Sequence, residues 1–325
     1  MSTDNFKPGD VFADIRSDFA FKRAFGTPKY KDATIGLLNA FITDRHIVDV
    51  SFDNTEILPE TSSSRKSVID VLCTDDTGAQ FIVEMQKMEQ VHFRERAYFY
   101  ASKVVAARED VRGKDWDYSL PPTYFISFLD FRLRDAGAEE LDGGGRIHTY
   151  STVHSATGTR MPGSTEFHFI EMKDFDKKLC EITGVKEFWL YLLLDGKNLR
   201  TVPEEMAGDK GATAYFEACK RAAFTATENK RYLDDMVTEL DKINGLKWAE
   251  QKGEARGRAE GLAEGRAEGL AEGEAKGRAE GLAEGEARGK AKGRAEVAKA
   301  MKENGLPTET IVQCSGLSKE QILAL

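Results

Sequence analysis

Residues 67–87 hold two apolar, β-rich runs, Ser-Val-Ile-Asp-Val-Leu-Cys and Ala-Gln-Phe-Ile-Val-Glu-Met-Gln-Lys, on either side of Thr74-Asp75-Asp76-Thr77-Gly78. Asp-Asp-Thr-Gly between two such runs is the chemistry of a tight hairpin. With Asp76–Gly78 as the loop and Gly78 in the left-handed region, Asp75 faces Ala79, Cys73 faces Phe81 and Asp70 faces Glu84. Gln86 lies two residues beyond Glu84 and shares its face. Ile69, Val71, Cys73, Phe81, Val83 and Met85 take the opposite face. Flanks this apolar place the hairpin at the centre of a sheet, with two carboxylates and an amide side by side.

Two carboxylates facing each other across strands repel, so a proton, a lysine or a divalent cation must compensate them. Hard oxygen ligands at this spacing suit Mg²⁺ or Mn²⁺. Such an ion can polarise a phosphodiester and lower the pKa of a water. The competing reading is that Asp70 and Glu84 line a solvated sheet face, as carboxylates on strands commonly do. A central strand that retains ionised groups speaks against it.

Around the hairpin, helix and strand signals alternate. Helical spacing marks Phe19–Phe25, Ala33–Phe41, Phe93–Ala107, Val185–Leu194 and residues 212–242, and strand signals mark Tyr124–Phe131, Ile147–His154 and Phe167–Met172. The order predicts an α/β or α+β fold, a central sheet flanked by helices. On the helix 93–107, Arg96, Tyr100 and Lys103 form one stripe. It reads as a phosphate-contacting edge or as the charged surface of an amphipathic helix, with Lys103 closer to the second. Of the five histidines, His148 and His154 read as surface residues of a Thr/Ser-rich strand region, and none forms HExxH.

Residues 247–303 are a different material. Eleven glycines recur at every fourth position from Gly253 to Gly293, with a consensus near Gly-x-Ala-Glu, and 13 basic against 12 acidic residues leave the window almost neutral. Each glycine costs a helix about 1 kcal/mol against alanine. Pairs such as Glu254–Arg258, Glu274–Arg278 and Glu284–Arg288 favour a helix, while the run Glu260, Glu264, Glu268, Glu272 opposes it. A helical spacer and a solvated linker both fit. The last residues, 304–325, read as two short helices with Thr308 and Ser318 as caps. The chain thus divides into 1–246, 247–303 and 304–325.

The net charge of −9 over 325 residues argues against a protein that simply coats nucleic acid, though not against a metal-using nuclease. The four cysteines form no CxxC or Cys/His cluster, which excludes a zinc knuckle and leaves a reducing cytoplasm as the simplest compartment. No apolar run approaches the ~18 residues of a membrane span. GxGxxG, GxxxxGK[ST] and GxSxG are absent.

Asp70 followed by Glu84-x-Gln86 resembles the core of a PD-(D/E)XK nuclease, and more closely the Rpn group of recombination-promoting nucleases, the PD-(D/E)XK nuclease family transposases. Ser17–Gly26, Lys66–Asp70, Phe81–Gln86, Arg96–Tyr100, Phe169–Phe175 and Trp189-Leu190 carry the resemblance, which covers about residues 10–250. It implies a restriction-endonuclease-like core with a mixed sheet and an endonuclease that cleaves DNA with Mg²⁺ or Mn²⁺. It also implies links to recombination, mobile elements or phage defence. Asp70 and Glu84 would be the metal ligands. Gln86 stands where the wider superfamily has lysine; it can orient a water but supplies no charge. Lys66 or Lys22 would supply the missing cation, with Asp18, Arg96 and Tyr100 as accessory residues. Cutting both strands of a duplex would suit a homodimer. Two alternatives stay open: a non-catalytic interaction protein derived from a nuclease fold, and a three-carboxylate transposase that would need a further acid such as Glu187.

Overall fold

The computed structural model describes residues 11–57, 67–108, 116–133 and 137–325. They form two units, one ending at Leu240 and one covering Asp241–Leu325. The first unit holds helices α1 (Asp18–Phe25), α2 (Lys31–Phe41), α3 (Phe93–Ala107), α4 (Val185–Asp195) and α5 (Lys210–Cys219). Its strands are β1 (Val50–Phe52), β2 (Glu56–Ile57), β3 (Ser67–Val68), β4 (Val71–Asp75), β5 (Gln80–Gln86), β6 (Thr123–Leu129), β7 (Glu139–Glu140), β8 (Arg146–Tyr150) and β9 (Thr165–Glu171). Seven strands make one sheet in the order β1-β4-β5-β6-β9-β8-β7, while β2 and β3 pair separately. The β5–β6 and β6–β9 pairs are parallel and the other pairs of the large sheet antiparallel. This is the α/β architecture with a mixed central sheet that the sequence leads one to expect.

Every residue of β6 is buried. A continuous run of this kind belongs to a strand covered on both faces. On one face, residues of α1, α2, α4 and α5 join Val71, Cys73, Phe81, Val83, Ile126 and Phe128 in the main core. The packing is close where a Cβ on Gly36 would lie 2.7 Å from the Trp189 ring and 3.3 Å from the Gly211 Cα. On the other face α3 turns Phe93, Ala97, Ala101 and Val104 onto Leu72, Ile82, Phe125, Leu129 and Phe169. Their spacing is one helical stripe.

The structure corrects the sequence reading at several points. The run 67–73 is not one strand: the chain bends at Asp70 between β3 and β4. Ile69 therefore packs with the α3-side core and not beside Val71. The helical stretch expected over 212–242 is interrupted, since α5 ends at Cys219 and α6 (Ala226–Glu303) begins after a short break. His148 is buried, not on the surface.

In the second unit the repeat is helical throughout, as part of α6. None of the repeat glycines has a neighbour within 4 Å of where its Cβ would lie. The pairs that close are Arg256–Glu260, Lys276–Glu280, Glu286–Lys290 and Lys292–Glu296, in place of the three expected. Helices α7 (Thr308–Ser315) and α8 (Lys319–Ala324) pack Ile311 and Ile322 on Ala298. Ser318 caps α8 as expected, whereas the cap of α7 is Pro307, with Thr308 inside the helix. No helix among the described residues is long and apolar enough to cross a membrane.

Candidate active site

The hairpin has the register read from its sequence. Val71 pairs with Val83 and Cys73 with Phe81, and Asp75 N–H donates to the Ala79 carbonyl at 2.9 Å. Gly78 sits at φ 84°, the left-handed region that glycine enters freely. Asp75 Oδ1 accepts the N–H groups of Thr77 and Ala79, 2.9 Å each, which closes the turn.

This register brings Asp70 opposite Glu84, and each carboxylate accepts from the other strand. Met85 N–H donates to Asp70 Oδ2 at 3.0 Å, and Asp70 N–H donates to Glu84 Oε1 at 3.4 Å. Gln86 Nε2 donates to Glu84 Oε2 at 2.9 Å, and Gln86 Oε1 accepts from Arg96 Nη2 at 3.1 Å. Arg96 also donates to Gln90. Helix α3 reaches this position because His92, at φ 59°, turns the chain into it. Lys22 on α1 lies 3.6 Å from Asp70 Oδ1 and 2.6 Å from Asp18 Oδ1.

The electrostatics are unbalanced. Glu84 is only 5% exposed. Burial, and then the charge of Asp70, push its carboxyl up to about 8, against the pull of the Asp70 N–H, Gln86 and Arg96. Burial also raises Asp70, although the Met85 N–H and Lys22 oppose it. Burial works against the Lys22 ammonium, yet the hydrogen bond to Asp18 and the charge of Asp70 outweigh it and raise its pKa. Two carboxyls side by side, one buried and one part-buried, are a poor home for two negative charges unless a further positive charge arrives.

Among the described residues no three His, Cys, Asp or Glu are gathered as a ready-made metal cage. Two adjacent carboxylates nonetheless fit Mg²⁺ or Mn²⁺, since Mg²⁺ is usually held by one or two carboxylates and keeps several waters. Of the accessory residues, Asp18 is more than half exposed and contacts Lys22, not the carboxylate pair. Tyr100 carries the Arg96 guanidinium 5.9 Å from its ring centroid, and Lys103 lies over Phe99 at 4.7 Å. Lys66 falls outside the described residues.

Residues 15–249 match the family model described as PD-(D/E)XK nuclease family transposase. The chain belongs to this family. No curated protein and no solved structure matches it. Within the family's core, the chain carries a second charged cluster, built around buried Asp14, that the sequence did not announce. Arg16 donates to both oxygens of Asp14 at 3.1 Å and to Asp130 Oδ2 at 3.1 Å, and Lys197 donates to Asp14 Oδ2 at 3.1 Å. The Tyr232 hydroxyl accepts the Asp14 N–H at 2.9 Å. Burial alone would raise the Asp14 carboxyl, but the charge and hydrogen bonds of Arg16, with Lys87 and Lys197, hold it well below the usual range. Asp130 N–H donates to the Gln86 carbonyl at 2.9 Å, so Gln86 joins the two clusters, one through its side chain and one through its backbone. A third group, the buried pair His148 Nε2 and Glu171 Oε1 at 2.9 Å, holds the end of β9, where Glu171 also accepts the Leu133 N–H at 2.6 Å.

Proposed function

We propose that the protein is a divalent-metal-dependent DNA endonuclease that hydrolyses phosphodiester bonds. The observation that carries the reading is the under-compensated pair of buried Glu84 and part-buried Asp70, tied through Gln86 to Arg96. Asp70 and Glu84 would hold Mg²⁺ or Mn²⁺. When bound, the ion supplies Lewis acidity to the scissile phosphate and to the attacking water. Gln86 presents an amide that can hold a water, while Arg96 behind it and Lys22 beside Asp70 carry the positive charge that a glutamine lacks. The division that goes with this reading is a nuclease domain over 1–246, a repeat segment over 247–303 and a helical tail over 304–325, acting as a homodimer on duplex DNA. The setting is recombination, mobile-element movement or phage defence.

The test is nicking of supercoiled plasmid by the full chain with Mg²⁺, with Mn²⁺ and with EDTA, beside Asp70→Ala and Glu84→Ala. Metal-dependent nicking that both variants lose is the expected outcome. No nicking by wild type with either metal would favour a non-catalytic interaction protein.

A further inference from the structure

Strand β6 carries two hydroxyls, Ser127 Oγ and Thr123 Oγ1, that are fully buried and have no hydrogen-bond partner among the described residues. A buried hydroxyl left without a partner is unfavourable and calls for an explanation. Thr123 pairs with Gln80, at the start of β5 and far from the carboxylates. Ser127 pairs with Glu84. Alternation sets both on the side of the sheet that α3 covers: Phe125 and Leu129 pack there with Ile82, whereas Ile126, Phe128 and Val83 belong to the opposite core. Neighbouring strands are about 4.8 Å apart. On its other side Ser127 pairs with Phe169, which offers only an apolar ring. The polar group beside it in this row is therefore the Glu84 carboxylate, which has about four lone-pair sites and uses one for the long contact to Asp70 and one for Gln86.

We infer that Ser127 is a positioning residue for Glu84: its hydroxyl donates to the Glu84 carboxylate when a divalent cation is bound, and so orients that carboxylate as a ligand. The inference rests on the nuclease reading above. Partners that orient a ligating carboxylate typically contribute 10–100-fold to metal affinity. A serine in this place then makes sense inside a run of large apolar residues, where alanine would otherwise serve.

Calorimetric titration of the full chain with Mn²⁺ tests it, on wild type, Ser127→Ala, Thr123→Ala and Glu84→Gln, each also melted in EDTA. Ser127→Ala should bind Mn²⁺ about 10–100-fold more weakly than wild type, with an EDTA melting temperature unchanged or higher. Thr123→Ala should bind like wild type. Equal affinity of Ser127→Ala and wild type overturns the inference. So does an equal loss in both hydroxyl variants, or a loss that comes with a lower melting temperature in EDTA, since either reports altered packing of β6. If wild type takes up no Mn²⁺ that Glu84→Gln abolishes, the nuclease reading itself fails and the role of Ser127 fails with it.

Discussion

Gln86 separates two pairs of acids, and the buried member of each, Asp14 on one side and Glu84 on the other, has the opposite electrostatic fate. Burial raises Asp130 and Asp70 alike. On one side Asp14 and Asp130 share Arg16, Asp14 also meets Lys197, and the Asp14 carboxyl is held well below its ordinary range. On the other side Asp70 and Glu84 face each other with one lysine at 3.6 Å, and Glu84 rises to about 8. Asp14 touches two cations directly, Arg16 and Lys197, whereas Lys22 reaches only Asp70 and Arg96 reaches Glu84 only through Gln86. The contrast is what the proposed metal site calls for: an acid neutralised within the fold at Asp14, and a pair at Asp70 and Glu84 that a charge from outside would complete. The first cluster locks the segment before α1 and the end of β6 in place. The second is left poised.

Substitutions that exchange these roles sharpen the contrast. The largest effect is expected from Asp70→Asn, which keeps an oxygen to accept the Met85 N–H yet removes the charge. Plasmid nicking should fall by about a thousandfold or more, since a catalytic cation supplies several kcal/mol, while circular dichroism shows the fold retained. Arg16→Met should act the other way and lower stability by about 3 kcal/mol in urea unfolding. That is the low end for a broken buried pair, because the Arg16 side chain is still 19% exposed. An unchanged unfolding midpoint would remove the distinction between the clusters. Asp14→Asn should cost about 2 kcal/mol near neutrality. The sign of its pH dependence follows from the depressed carboxyl: the stability that Asp14 contributes is present above its unfolded value of 3.8 and is lost as pH falls below it. The gap between wild type and Asp14→Asn should thus narrow between pH 5 and about 3. A gap independent of pH would show that Asp14 acts by packing alone.

Much of the poised cluster was legible in the sequence, because a hairpin is local. Gly78 and the alternation of Val71, Cys73, Phe81 and Val83 determine which residues face each other, and Asp70 and Glu84 follow. The bounds of α3 were legible for the same reason, since its inward stripe has a helical period. The compensated cluster was not. Asp14, Arg16, Asp130, Lys197 and Tyr232 come from widely separated parts of the chain and meet only once the sheet and α6 are assembled. No periodicity marks such long-range ion pairs. His148 misled for a related reason. Its polar neighbours Thr149 and Tyr150 suggest a surface strand, yet β8 pairs with β9 and sets His148 against Glu171 inside. Ser127 was hidden differently, as one small hydroxyl in the apolar run of β6. The strand β1 is only three residues long, too short for a period of two to stand out.

The smallest of these effects is also the most telling, because it makes stability and function oppose each other. Glu84→Gln keeps the shape of the side chain and removes its charge. With its carboxyl raised, Glu84 lets the fold keep its full stability below about 4.5 and lose part of it as pH rises through about 8. The measurement is the melting temperature of wild type and Glu84→Gln at pH 8, in EDTA and in Mg²⁺. In EDTA the variant should be more stable than wild type, by on the order of 1–2 kcal/mol. In Mg²⁺ wild type should gain and the variant should not, so that the difference closes or reverses. A variant that is less stable in EDTA and responds to Mg²⁺ as wild type does would contradict a carboxylate pair kept for a metal ion.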